Sequence, residues 1–155
     1  MTMNKCQIAQ YVEQLECRYR SACTCGDLDI HGLPHLRQVA LVAGRFAAHL
    51  GEDVEAAMVM GFFHDCARIH DGGGTQHAHD SAQLARPIIT ADFPHFDVAR
   101  LCDGIAHHAD GTITDDFLIG CLWDADRLDL RRLGITPNPR LLSTPIARRV
   151  ARLYQ

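Results

Sequence analysis

Residues 53–71 read DVEAAMVMGFFHDCARIHD, and this stretch decides the fold class. Within it, 56–63 is an apolar run in which Ala56, Val59, Met60 and Phe63 recur at helical spacing. Asp53 can accept from the free N–H groups that open such a helix, and the pair His64-Asp65 stands where the run ends. The run is far shorter than the roughly 20 residues needed to span a bilayer. It therefore reads as a core helix whose end delivers polar side chains to the interior. Asp71-Gly72-Gly73-Gly74 then breaks the pattern, because consecutive glycines are costly inside a helix. With no lysine-serine/threonine pair after it, this is no phosphate-binding loop of the P-loop kind, and it reads as a flexible loop bordering a pocket.

Working outward, helical periodicity continues in both directions and no segment alternates with period two. A first helix is expected over 4–20, with Ile8, Tyr11, Val12 and Leu15 on one face. A second starts near Pro34, presents Val39, Val42, Ala43, Phe46 and Leu50, and stops at Gly51. A fourth covers 75–86 and is closed by Pro87, and a fifth covers 96–108. A sixth follows Thr114 as its cap and carries Phe117, Ile119, Leu122 and Leu128; Thr144-Pro145 opens a short last one. The expectation is an all-α bundle of six to seven helices. With no repeat and no linker, residues 1–155 read as one domain.

A chain of 155 residues, 47% of them apolar, buries roughly 70% of its unfolded surface and needs no disulfide or metal to fold. Any metal-ligand pattern therefore points to chemistry. Seven cysteines is an odd number, and residues 1–20 contain Glu13 and Glu16 with no apolar core, so reduced thiols and a cytoplasmic location are expected. Cys17, Cys23 and Cys25 lack the usual zinc-hairpin spacing and are expected to be buried free thiols. A net charge of -4 gives no general attraction for nucleic acid, and no membrane partner is expected. The charge is lopsided, however. Residues 130–155 hold six arginines and no acid, whereas 1–129 hold nine bases against nineteen acids. That is either a basic helix packed on an acidic body or a basic flap beside an anionic substrate.

Ten histidines gather near expected helix ends, where side chains from different helices converge. Imidazoles with carboxylates suit Mn, Fe, Zn or Mg. The ordered series is His35, then His64-Asp65, then Asp126 within WDADRLDL at 123–130, with His77-x-x-x-Ser81-Ala82 between. On these residues the chain resembles the HD-domain superfamily of metal-dependent phosphohydrolases over 31–130, with the Arg-rich segment 131–155 beyond.

The resemblance implies a helical bundle with a central metal, Mn, Mg, Zn, Ni or Fe, as one ion or two. It makes His35, His64, Asp65 and Asp126 the ligands. It places His77 and one of His107 or His108 where some branches hold a second metal, contact phosphate or move protons. Arg68 and Arg127 are the guanidiniums best placed to clamp a phosphate. His31, Asp71 and Asp124 are expected around the pocket, Asp124 and Asp129 orienting neighbours, and Cys66 close enough to the metal to be an oxidation liability or a soft ligand. The implied activity is hydrolysis of a phosphate ester or anhydride of a small molecule, with nucleotides the leading class. Two alternatives are a di-iron oxygenase of the same superfamily and a nucleotide-binding sensor without turnover.

Overall fold

The structure, a computed structural model, describes residues 3–155. Met1 and Thr2, which the expected 1–155 unit includes, lie outside the described residues. Seven α-helices follow in order: α1 Lys5–Tyr19, α2 Leu33–Leu50, α3 Val54–Phe63, α4 Gln76–Asp92, α5 Val98–Ala106, α6 Phe117–Asp129 and α7 Pro145–Arg152. Among the described residues there is no strand, and no helix is long and apolar enough to cross a membrane.

The arrangement follows from α3. Every residue in it except Glu55 is buried, so it has no outer face and must be enclosed. α1, α2, α5 and α6 pack around it, α2 most closely. Asp53 opens α3 by accepting from the Ala56 N–H at 3.0 Å. The closeness of α2 is set by Gly61, where an added Cβ would lie 2.7 Å from the Ala40 Cα. α2 itself begins at Leu33 with Pro34 in its first turn and ends at Gly51, whose φ of 77° is the left-handed conformation that stops a helix. One hydrophobic cluster runs from Ile8 to Ala151 and takes residues from all seven helices.

Three boundaries differ from expectation. α4 does not stop at Pro87 but runs through it to Asp92. Proline there forfeits one hydrogen bond, and the face carrying Ala82, Ala85 and Ile89 is buried against the core on both sides of it, which holds the last turns in place. α6 is capped by Asp116 rather than Thr114. Asp116 accepts from the Ile119 N–H and is gripped at 2.8 Å by two nitrogens of Arg100, while Thr114 supports it by accepting from the Asp116 N–H. α5 starts at Asp97, whose side chain caps it, and ends at Ala106, which leaves His107 and His108 in the turn beyond.

The basic segment includes a packed helix. Ala147 and Ala151 of α7 are buried, and α7 rests on α2 and α6. Asp124 of α6 fastens it. Its carboxylate accepts from the Ser143 N–H, the Thr144 N–H and the Thr144 hydroxyl, each at 2.7 Å.

Candidate metal centre

Three histidines are aimed by the same device. The Nδ1 of His64, just past the end of α3, lies 2.7 Å from the Gly61 carbonyl. The Nδ1 of His108 lies 2.8 Å from the Ile105 carbonyl, and that of His35, in the first turn of α2, lies 2.6 Å from Asp129 Oδ2. Each partner can only accept, so each Nδ1 carries the proton and each Nε2 turns a lone pair inward.

Those lone pairs meet. His35 Nε2 lies 3.0 Å from His64 Nε2 and 3.2 Å from Asp126 Oδ1; His64 Nε2 lies 3.5 Å from the same oxygen. Asp65 Oδ2 is 3.6 Å from both imidazoles. Atoms bound at about 2.0–2.2 Å to one ion stand roughly 3.0–3.5 Å apart, which is the spacing here. Two imidazole lone pairs 3.0 Å apart repel unless a cation lies between them. In the metal-free site a proton supplies it: burial pulls His35 down, but Asp126 and Asp129 outweigh burial and lift its pKa to about 9. Asp126, likewise opposed by burial, is held well below the usual carboxylate range by His35 and His64.

Asp65 faces two ways. Burial alone would raise its carboxyl, yet the His64 and His108 rings hold it below the ordinary value. Oδ2 accepts from Arg68 Nε at 2.9 Å. Oδ1 is buried with no hydrogen bond, and the Nε2 atoms of His77 and His108 are each 3.3 Å away. His64, Asp65 and His108 thus form a second group able to hold an ion, beside that of His35, His64 and Asp126. The orphaned oxygen and the facing lone pairs fit a bound metal.

The pocket is closed on one side and open on the other, since His64 is fully buried whereas the Asp126 side chain is 23% exposed. Arg68 lines it with Nη2 3.2 Å from His77 Nε2, and Nη1 donates to the carbonyls of His70 and Gly72. His77 is pushed down to about 4, by burial first and then by the Arg68 charge, against Asp65. His31 pairs with Asp71 at 2.9 Å, and Asp71 also accepts from the Ile30 and His31 N–H groups. The loop after Asp65 is therefore strapped at Asp71 to the start of α2, rather than flexible there.

Of the residues expected at the site, His35, His64, Asp65, Asp126, His77, His108 and Arg68 come together, with His31 and Asp71 at the edge. Four others do not. His107 faces out, its Nδ1 held by Asp103 and its ring edge-on to His79. Arg127 leaves the pocket altogether: it lies over Trp123 and donates to the Leu141 carbonyl at 2.6 Å. Asp124 serves the α7 seam described above. The Cys66 thiol is buried toward the Ser81 carbonyl at 3.7 Å, burial pushes its pKa far up, and it belongs to neither group of side chains able to hold an ion. Among the other thiols Cys25 is buried and Cys23 half-buried, but Cys17 is exposed.

Two further contributors were given no role from the sequence, although Ser81 stands in the motif after His77. Arg132 holds Asp129 at 2.7 Å and donates to the Ile30 carbonyl; its place three residues after Asp129 on a helical turn was the available signal. The Ser81 hydroxyl accepts from the Ala67 N–H at 3.1 Å and anchors the turn behind Asp65.

No curated protein and no solved structure matches the chain significantly. A family model does: the one described as HD domain matches residues 32–143, which reach from the residue before α2 to the seam under α7. The match takes in all five sequence stretches whose His and Asp side chains converge here, and it spans more than two thirds of the chain; the protein belongs to the HD domain family.

Proposed function

We propose that the protein hydrolyses a phosphate ester or anhydride of a small molecule, with nucleotides the leading substrate class. HD domains bind divalent metals and are generally metal-dependent hydrolases. The observation that carries this reading for this chain is the meeting of inward lone pairs from His35 and His64 with Asp65 and Asp126, in a buried pocket open on the Asp126 side. These four would hold a divalent ion, drawn from Mn, Mg, Zn, Ni or Fe, which when bound polarises a phosphoryl oxygen and acidifies a water.

The remaining work falls to the protein. Asp65 and Asp126 are ionised and balance a divalent charge, so the cation left to draw in a phosphate is Arg68. Its Nε is committed to Asp65 while Nη2 lies beside His77. His77, held near 4, is neutral and offers a lone pair rather than a proton. His108 is shifted the other way, because Asp65 outweighs burial and raises it above the ordinary imidazole value; it is the more basic of the two rings and the candidate to pass a proton to a departing alcohol or phosphate.

The test is elemental analysis of protein purified anaerobically without a polyhistidine tag, followed by a screen of phosphate esters and anhydrides. About one divalent ion per chain with phosphate release is expected. Metal-loaded protein that releases phosphate from none of them would sink the reading.

One observation favours a second reading. His77 and His108 flank the free Asp65 oxygen, so these side chains would hold a second ion beside the first. A di-iron oxygenase would use that set. Two irons per chain and substrate-dependent oxygen uptake would replace the hydrolase reading with it.

A further inference from the structure

Behind His35, on the side away from the inward lone pairs, a groove of about 490 Å³ runs between α2, α6 and α7. Its apolar lining comes from Val42 and Phe46 of α2 and Leu128 of α6, and Tyr154 stands at one end. Three guanidiniums border it. Arg45 is exposed and has no carboxylate within ion-pair range among the described residues. Arg131 stands over the Tyr154 ring, its Cζ 3.1 Å from the ring centre, and Arg132 completes the set. The one acid in the lining, Asp129, already serves both His35 and Arg132. The groove therefore has an excess of positive charge above an apolar floor.

We propose that this groove is a second ligand site, distinct from the metal centre, for a small phosphomonoester or phosphonate with an aromatic body. The charge complementarity selects the anion: a guanidinium matches two phosphate oxygens at once, and Arg45 has no competing carboxylate among the described residues. The apolar lining selects the body, since an inorganic anion would leave Val42, Phe46 and Leu128 uncovered. The volume is that of a small-molecule site. None of this depends on what the metal centre hydrolyses.

The probe is 1-naphthylmethylphosphonate, which resists phosphatases, titrated by calorimetry into the full-length metal-loaded protein, with inorganic phosphate and 1-naphthylmethanol as partial ligands. Binding is expected to survive in His64→Ala, or in wild-type protein stripped with a chelator if that variant fails to fold. It is expected to weaken roughly tenfold or more in Arg45→Glu and in Arg131→Glu, one charged contact being lost in each, with bound metal unchanged. Each partial ligand should bind more weakly than the whole. Three results overturn the proposal: no binding, binding that disappears with the metal, or binding indifferent to both arginine variants. Loss of hydrolytic activity alone would bear on the metal centre and leave the groove standing.

Discussion

Asp65 and Asp124 are both buried aspartates within one small core, and they could hardly be treated more differently. Asp124 receives three donors from Ser143 and Thr144, a full set of short bonds across the α6–α7 seam. Asp65 receives one, from Arg68, and its other oxygen has none. Burial wins at Asp124, whose carboxyl is raised despite those donors, whereas imidazoles overturn burial at Asp65 and lower it. The contrast teaches how to tell two kinds of buried acid apart. One whose lone pairs are saturated by the chain holds the chain together, and one left short, among inward-facing imidazoles, is kept for something the chain does not supply.

The contrast can be broken most severely at the metal centre. His64→Ala and Asp126→Ala should each weaken metal binding by more than roughly 100-fold, since even supporting residues cost 10- to 100-fold. Both proteins should stay helical by circular dichroism; retention of metal by both would place the ion elsewhere. At the seam the loss should be of stability. Asp124→Ala strands buried donors and should cost about 3 kcal/mol in denaturant unfolding while metal content stays at the wild-type level. A variant that lost metal instead would erase the distinction.

Acidity sharpens the comparison further. In chelator-treated protein the raised pKa of His35 means that its protonated form is favoured by folding. That stabilisation is fully present below about 6.5, the unfolded value, and is lost as pH rises through about 9. Thermal midpoints of metal-free protein should fall across that window, and Asp129→Asn should flatten the fall. Metal affinity should climb over the same range, because an ion takes the neutral ring. The smallest effect is expected at Arg127, which packs on Trp123 outside the pocket. Arg127→Ala should lower stability by about 1 kcal/mol and leave KM for a phosphate substrate unchanged. A raised KM would return Arg127 to the site.

Much of the fold was legible because it rests on local chemistry. The apolar run of α3, the caps Asp53 and Thr144 and the stop at Gly51 are each set within a few residues, and each is where the sequence places it. What was lost depended on partners far along the chain. Pro87 is carried through α4 by burial of Ala85 and Ile89, and Thr114 yields the cap to Asp116 because Arg100 lies opposite. The site was legible in the same proportion. Sequence order brought out His35, His64, Asp65 and Asp126 as a set but not which way their neighbours turn. In WDADRLD the polar residues Asp124, Asp126 and Arg127 step around α6 by about 100° per residue, and only the packed structure says which of them faces the pocket. The turn beyond α5 likewise sends His108 inside and His107 outside.

Gly61 links fold and chemistry at a single residue. It lets α3 touch the backbone of α2 at Ala40, and its carbonyl fixes the ring of His64. The gap between His35 and His64 is thus a caliper with one jaw held by a main-chain carbonyl and the other by the Asp129 carboxylate. Such a caliper sorts ions by radius: those with bonds of about 2.0–2.2 Å fit the closed jaws, and calcium at about 2.3–2.6 Å asks them to open. One methyl group at position 61 would wedge the helices apart and shift the preference toward the larger ion, although position 61 offers it no ligand atom.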